Sequence, residues 1–202
     1  MSTTADRSRR LGAKGNRTRQ RILDAAETVF VELGYHDASI VKITEAAGVA
    51  QGTFYIYFPG KRELFEELVD DLNRRVRQAM TTASESGGSR LAAERAGFAA
   101  YFAFVADHPG LYRIMRQAEF VAPHQLRQHY DRIVSGYTKR LRAAMDSGEI
   151  PPGEPELMAW ALMGLGEMVG MRWVLWHDNE PVPENVLADT ASVVARILGV
   201  QE

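Results

Sequence analysis

The 202-residue sequence contains no cysteine. This absence excludes disulfide bonds, thiolate metal ligands and cysteine nucleophiles, and it fits a protein of the reducing cytoplasm. The N-terminus carries positive charges with no apolar segment behind them, so we expect no signal peptide. No charge sign dominates either, since the net charge is −2 with 25% charged and 46% hydrophobic residues. This composition is typical of an ordinary globular protein of one large or two small domains.

Recognisable catalytic motifs are also missing. The sequence has no H-E-x-x-H, no G-x-S-x-G and no phosphate-binding loop. Its five histidines are scattered, and His124 and His129 would lie about 140° apart around a helix, which makes them a poor metal pair. We therefore predict that the protein is not an enzyme and holds neither a metal nor a cofactor.

The charges that are present are unevenly distributed. Residues 1–22 carry seven Lys or Arg and one Asp, a balance of +6, which leaves −8 for the rest of the chain. A basic arm ahead of a neutral-to-acidic body indicates a flexible segment that touches an anion. A solvated tail that only aids solubility fits the same charges, and charge alone does not separate the two.

Apolar residues recur at helical spacing along most of the chain, so we predict an all-α fold. Gly34 and Gly48 are expected to end helices, Ser39 to begin one, and the segment 84–89 to be a linker. The predicted helices run over about 18–33, 40–47, 61–80, 91–106, 111–120, 123–147, 158–176 and 184–198.

The aromatic stretch GVAQGTFYIYF at 48–58 fits either a strand or a short helix. The chain offers no other strand for it to pair with, and an unpaired strand leaves backbone N–H and C=O groups unsatisfied. We therefore predict a helix. Its Phe54 and Phe58, four residues apart, would face the core, while Thr53 and Tyr57 would point away.

A helix at 40–47, a turn at Gly48 and this second short helix form a helix-turn-helix unit. Residues 17–65 resemble the N-terminal domain of TetR-type (TetR/AcrR) transcriptional regulators. The matching elements are R-x-x-I-L-x-A-A at 19–26, I-x-x-A-A-G-V at 43–49, G-T-F-Y-x-Y-F at 52–58, and Lys61. The resemblance is specific because these elements agree in order and spacing over about fifty residues.

The resemblance implies a helical homodimer that binds a palindromic operator as a repressor and releases it when a small molecule enters the C-terminal domain. It divides the chain into a flexible basic arm (1–16), a helix-turn-helix DNA-binding domain (17–60), a connecting helix (61–83) and an effector-binding and dimerisation domain (90–202). We expect a cytoplasmic protein that has no contact with membranes.

Carried onto this sequence, the resemblance makes Gln51 and Gly52 the residues expected to meet base edges. The expected phosphate contacts are Ser39, Thr53, Tyr55, Tyr57 and Lys61. Ser39 and Lys61 would each begin a helix, where free N–H groups and the helix dipole attract a phosphate. Arg17 in the basic arm is expected to reach the DNA backbone or minor groove. Packing against the core is the alternative for Tyr55 and Tyr57.

The C-terminal half is rich in methionine and aromatic residues, which build both helical cores and adaptable apolar pockets. We take as candidate effector contacts Phe98, Phe102, Tyr112, Met115, Arg116, Tyr130, Tyr137, Met163 and Glu167. Their character indicates a hydrophobic or amphipathic effector. Arg113 and Arg116 on one short helix would suit an anionic head group, and the N-terminal pattern resembles members that sense fatty acyl-CoA.

The most apolar predicted helix, 158–176, is long enough to span a membrane, but Glu167 and Arg172 near its middle argue against that. We predict that it lies at a dimer seam or a pocket wall, with Gly166, Gly170 and Trp173 at the dimer interface. Glu167 fits either place.

The alternative function is a helical scaffold or small-molecule-binding protein without specific DNA binding. Salt separates the two functions, because binding through phosphates weakens steeply with ionic strength.

Overall fold

The computed structural model describes residues 12–85, 88–177 and 180–200, and every regular element in those ranges is a helix. The all-α prediction is therefore confirmed. The helices are α1 Ala13–Asp37, α2 Ile40–Ala47, α3 Gln51–Tyr57, α4 Lys61–Ser84, α5 Arg90–Asp107, α6 Leu111–Val121, α7 Pro123–Asp146, α8 Pro155–Gly170 and α9 Glu184–Leu198, with a π-helix at Met171–Leu175 between α8 and α9.

The described part of residues 1–70 forms one compact unit together with Arg113–Pro123. We call this the N-terminal unit. Its buried side chains come from α1, α2, α3, the start of α4 and α6, and they are spaced three and four residues apart, as amphipathic helices require. The fully buried large ones are Ile22, Leu23, Phe30, Ile43, Phe54, Phe58, Leu64, Phe65, Leu68 and Ile114.

Helix α1 departs from its predicted bounds at both ends. It begins at Ala13, so residues 13–16, which we assigned to the flexible arm, are helical, while residues 1–11 lie outside the described residues. Polar first turns carry no apolar spacing that would reveal them. Gly34 does not end the helix but kinks it, with φ 76° and ψ 161°, a backbone conformation that is essentially restricted to glycine.

The predicted helix-turn-helix is confirmed. Ser39 caps α2 by accepting a hydrogen bond from the Lys42 N–H at 3.2 Å, and Gly48 ends α2 in the left-handed conformation at φ 62° and ψ 41°. Helix α3 begins three residues later, at Gln51, so the aromatic stretch is a helix as predicted. The turn between α2 and α3 therefore rests on the one residue type that adopts a positive φ without strain.

The second compact unit comprises Asp71–Tyr112 and the described residues from His124 onward. We call this the C-terminal unit. Within it α5 packs against α8, the π-helix and α9, and α8 also packs against α9. Leu141, Ala159, Leu162, Val174 and Leu198 are among its most buried side chains.

The apolar segment predicted as one helix over 158–176 is divided in the structure. Helix α8 ends at Gly170, and the next five residues widen into the π-helix, a feature often found at functional sites. Within the described residues no helix combines the length and the apolar character that crossing a bilayer requires.

Candidate nucleic-acid interface and ligand region

Helix α3 has two chemically different faces. The rings of Phe54 and Phe58 are fully buried, with centroids 5.7 Å apart, and they hold the helix against the N-terminal core. On the opposite side Tyr55 is 55% exposed and Ile56 is 66% exposed. The predicted core pair is therefore confirmed, and Tyr55 is not a core residue, whereas Tyr57 is half-buried.

The predicted base-reading residues lie on this outward face. Gln51 and Gly52 are exposed, and a Cβ added at Gly52 would meet nothing within 4 Å. The surface is therefore open to a close approach by another molecule. Thr53 and Tyr57 are half-buried. An amide and hydroxyl groups on a short exposed helix are what contacts to base edges and phosphates require.

Arginines of α1 take different roles around this face. Arg17 is exposed. Arg19 forms an ion pair with Glu67 and lies over the Phe58 ring at 5.3 Å, so it stabilises the unit. Arg21 donates a hydrogen bond to the Gly48 carbonyl at 3.4 Å, at the turn between α2 and α3. Arg17, the arginine singled out from sequence for DNA contact, therefore has an outward placement.

Lys61 requires a correction. Its ammonium group donates hydrogen bonds to the carbonyl oxygens of Tyr35 at 2.7 Å, Ala38 at 2.8 Å and His36 at 3.3 Å. It also lies 4.5 Å from the centre of the Tyr35 ring. We expected this side chain to contact phosphate, but its three donors are already used inside the protein. The three carbonyl groups where α1 ends have no helical N–H partners. They accept hydrogen bonds from the Lys61 ammonium group instead, because tertiary packing brings it beside them.

In the C-terminal unit, two of the predicted effector contacts line a cleft of about 370 Å³. Phe98 and Phe102 lie on its α5 side, and the α9 side is formed by residues that include the apolar Leu187, Ala191 and Val194. An apolar groove of this volume matches the lower end of the range for small-molecule sites. The remaining predicted contacts lie elsewhere.

Three further predicted contacts meet in a polar network inside the same unit. Tyr112 donates to the Glu167 backbone carbonyl at 3.1 Å, Tyr130 donates to the Glu167 carboxylate at 3.4 Å, and the Tyr101 hydroxyl lies 2.8 Å from that of Tyr112. We call these four residues the tyrosine–glutamate network. Burial raises the pKa of both Tyr101 and Tyr112, so both hydroxyls stay protonated. Because Tyr112 donates its proton to Glu167, Tyr101 donates to Tyr112.

Other candidate effector contacts are placed separately. Tyr137 hydrogen-bonds the buried Glu94 carboxylate, and burial raises the pKa of that carboxyl despite the nearby Arg90. Met115 and Met163 are half-buried, whereas Arg116 is exposed. Arg113, also exposed, donates to the Val31 carbonyl at 3.4 Å. The expected arginine pair facing a pocket is therefore not formed, because Arg113 turns toward α1.

The two glycines assigned to a dimer seam are buried inside the protomer. A Cβ at Gly166 would lie 3.2 Å from the Phe98 ring, and a Cβ at Gly170 would collide with the Tyr112 hydroxyl. Their small size therefore lets α5 and α6 residues of the same chain approach α8. Trp173, on the π-helix, is half-buried, with the Arg172 guanidinium 5.5 Å from its ring.

Similarity to known proteins agrees with this geometry. The profile described as "Bacterial regulatory proteins, tetR family" matches residues 22–68. The fatty acid metabolism regulator protein of Bacillus subtilis (strain 168) is 31% identical over 168 residues, which cover 77% of this chain and 82% of that protein. The chain belongs to the tetR family of bacterial regulatory proteins. As a TetR-family member it is a DNA-binding transcriptional regulator, and this excludes the scaffold alternative.

Two further proteins extend the comparison of this TetR-family chain. The HTH-type transcriptional activator FasR of Mycolicibacterium smegmatis is 34% identical over 143 residues, covering 62% of this chain and 64% of FasR. The crystal structure of the regulator FadR from Bacillus subtilis in complex with stearoyl-CoA shares the fold, with a TM-score of 0.75, 22% identity, and coverage of 91% of this chain and 99% of FadR. A shorter match, 42% identical over 66 residues, spans 34% of that relative.

Sequence reasoning missed two residues that the structure makes prominent. Tyr101 completes the tyrosine–glutamate network, and Gln117 bonds to the backbone of α1. Nothing in the sequence indicated a polar role for Tyr101, because an aromatic residue on a helix is usually assigned to the core. The indication for Gln117 was weak, since it is an amide four residues after Arg113 on an amphipathic helix.

Proposed function

We propose that this TetR-family regulator binds a palindromic operator as a homodimer through α2 and α3, and releases it when an amphipathic effector binds the C-terminal unit. Repression is the expected outcome of operator binding, and we propose no catalytic role. The observation that carries the proposal is the outward face of α3. It presents an amide, hydroxyl groups and an open glycine opposite a buried phenylalanine pair.

The chemistry of that face supports contacts of two kinds. Gln51 offers a donor and an acceptor in one plane, the arrangement that reads an adenine edge in the major groove. Tyr55, Tyr57 and Thr53 offer hydroxyl groups for phosphates, and Ser39 and Arg17 complete the proposed set. Phosphate contacts would position the protein and Gln51 would supply sequence preference.

A homodimer is supported by an apolar stripe on α8. Leu157, Trp160 and Met168 are exposed and recur at spacings of three and eight residues, with Gly164 between the last two. Such a stripe covers one side of a helix and is costly to leave in water. We propose that a second copy of this chain covers it, which also gives the two-fold symmetry that a palindromic operator requires.

An acyl-CoA or another lipid-like molecule is the effector class we propose. The C-terminal unit offers an apolar cleft beside Phe98 and Phe102 and a separate set of hydroxyl donors in the tyrosine–glutamate network. It also holds buried polar groups without a hydrogen-bond partner among the described residues, including the Asn73 amide and the Thr138 hydroxyl. The B. subtilis regulator of similar fold was crystallised with stearoyl-CoA.

Selection of the purified protein against a random DNA pool tests the DNA part of the proposal. We expect a two-fold symmetric site whose affinity falls steeply with salt, because bound phosphates release counterions. Tyr57→Phe should weaken binding to every sequence by about 1.5–3 kcal/mol, the net worth of a charge-assisted hydrogen bond. Gln51→Ala should instead change the preferred base. Enrichment of no sequence by a folded dimer would refute the proposal.

The effector part has its own test. Stearoyl-CoA should raise the melting temperature and release the selected operator, because a ligand that binds the folded state stabilises it. If acyl-CoAs did neither, this effector class would be abandoned while operator binding stood.

The proposed dimer interface is tested by sedimentation. The Trp160→Glu variant should sediment as a monomer, because a charge in an apolar interface is costly to bury. A dimer of unchanged affinity would exclude the α8 stripe.

A further inference from the structure

The last residues of α1, together with Ala38, form a turn that other elements hold in place. We call residues 34–38 the Gly34 turn. At Gly34 the backbone leaves the helical path, so groups on either side of it lose the partners that a continuous helix would supply, while the Gly34 carbonyl still accepts a hydrogen bond from the Ala38 N–H at 3.1 Å. Only Ala38 and Ser39 separate α1 from α2. The position of this turn therefore sets where the first helix of the helix-turn-helix begins.

Gln117 of α6 bonds to the backbone on both sides of Gly34. Its amide oxygen accepts a hydrogen bond from the Tyr35 N–H at 2.6 Å, and its amide nitrogen donates to the Phe30 carbonyl at 3.2 Å. The same nitrogen donates to the Arg113 carbonyl at 3.1 Å within α6, which fixes the direction of the side chain. The amide therefore replaces, across the kink, hydrogen bonds that a continuous helix would make with itself.

Two other side chains hold the same segment. Arg113, one helical turn before Gln117, donates to the Val31 carbonyl, and Lys61 at the start of α4 donates to the carbonyls of Tyr35, His36 and Ala38. Lys61 follows the recognition helix α3 by only a few residues. The Gly34 turn is thus tied to α4 by a cation and to α6 by an amide that both donates and accepts.

We propose that Gln117 is a positioning residue for operator binding, which holds α2 and α3 in the orientation that DNA requires. The proposal rests on the proposed function, since it concerns DNA binding by those helices. Gln117 itself touches no DNA in this scheme. Arg113–Pro123 lies far along the chain from the helix-turn-helix yet belongs to the N-terminal unit. One segment from outside the DNA-binding motif therefore fixes the backbone that leads into it.

Three variants separate positioning from simple stabilisation. Gln117→Met keeps the side-chain length and removes all three hydrogen bonds of the amide. Gln117→Glu keeps the acceptor for the Tyr35 N–H and loses the donor to the Phe30 and Arg113 carbonyls. Gln128→Ala is the matched control, because Gln128 is a half-buried glutamine whose hydrogen bonds in the described residues go to His124 and Arg132 of its own helix, α7. Each is measured at a temperature where circular dichroism shows full folding, for affinity to the selected operator and for amide hydrogen exchange.

We expect Gln117→Met to weaken operator binding about tenfold, the equivalent of one to two net hydrogen bonds. The salt dependence should stay unchanged, because no phosphate contact is lost. Exchange should speed up at the Tyr35 amide and through residues 40–47. Gln117→Glu should restore protection at Tyr35 and part of the affinity, and Gln128→Ala should match the parent.

Parent-like affinity in a folded Gln117→Met protein would overturn the proposal. So would a loss of affinity that only follows the unfolded fraction, or exchange that is unchanged over residues 40–47. If the parent protein selects no DNA, the proposed function fails, and the exchange of residues 40–47 still decides whether Gln117 positions α2. If Gln117→Met does not fold, Gln117→Glu supplies the same comparison with a smaller change.

Discussion

The two compact units differ in what their most prominent polar side chains bind. In the N-terminal unit Lys61 and Gln117 bond to the backbone of the Gly34 turn, and Ser39 caps α2. In the C-terminal unit the tyrosine–glutamate network and the Arg90–Glu94 pair also join side chains to one another. Backbone anchors fix one geometry, whereas side-chain networks can exchange partners. The first arrangement suits a fixed DNA surface and the second suits a variable ligand.

Lys61→Met gives the largest expected effect and sharpens this comparison. Removing a charged donor from three carbonyls should lower the free energy of unfolding by about 1.5–3 kcal/mol, which chemical denaturation measures. The salt dependence of operator binding by the folded fraction should stay the same, because the ammonium group does not contact phosphate. A slope reduced by about one, with stability intact, would restore Lys61 as a phosphate contact and weaken the contrast between the units.

Gly170→Ala tests how tightly the C-terminal network is built. The new methyl group would displace the Tyr112 hydroxyl, and overpacking of this kind costs about 1–3 kcal/mol of stability. Gly136→Ala on α7 of the same unit is the control, because a Cβ there would meet only the flexible end of the Arg140 side chain, at 4.0 Å. That change should be neutral or stabilise by up to about 1 kcal/mol through helix propensity. Equal melting temperatures for the two variants would show that Tyr112 moves without cost.

The smallest expected effect is a pH dependence that originates in the C-terminal unit. Burial, with the charges of Arg77 and Arg132, lowers the pKa of His129 from 6.5 to about 4. The folded state therefore favours neutral His129. Its contribution to stability is complete above pH 6.5 and is lost as the pH falls toward 4, with a slope of at most about 1.4 kcal/mol per pH unit. Denaturation of His129→Gln at pH 7 and 5 should show less acid sensitivity than His124→Gln, and equal sensitivity would contradict this.

Local signals in the sequence predicted much of the fold. The capping serine at 39, the glycine at 48 and the apolar spacing of 184–198 gave α2 and α9 with their observed bounds. The four-residue spacing of Phe54 and Phe58 predicted the buried face of α3, because residues four apart lie on the same side of a helix. These features depend on neighbours in sequence, and for that reason they could be inferred without a structure.

Other features depend on partners distant in sequence, and these were missed or misplaced. Lys61 and the Tyr35 carbonyl are 26 residues apart, and Gln117 and the Tyr35 amide are 82 residues apart. Gly166 and Gly170 correctly indicated that another part of the protein packs closely against α8. They did not indicate whether that part belongs to the same chain or to a second copy, since a small residue does not identify its neighbour. The effector contacts were the hardest to assign because Phe98 and Tyr112 have the same apolar spacing as any core residue.

The N-terminal unit is assembled from two stretches that are distant in the chain, and this affects how the protein can be made and recombined. A ribosome must add residues as far as Pro123 before the unit has all its parts, so a nascent chain ending after α4 lacks the segment that carries Gln117. The same holds for chimaeras. A hybrid regulator joined between α4 and α5 would take its helix-turn-helix from one parent and α6 from the other, and the better junction exchanges α6 together with the first four helices.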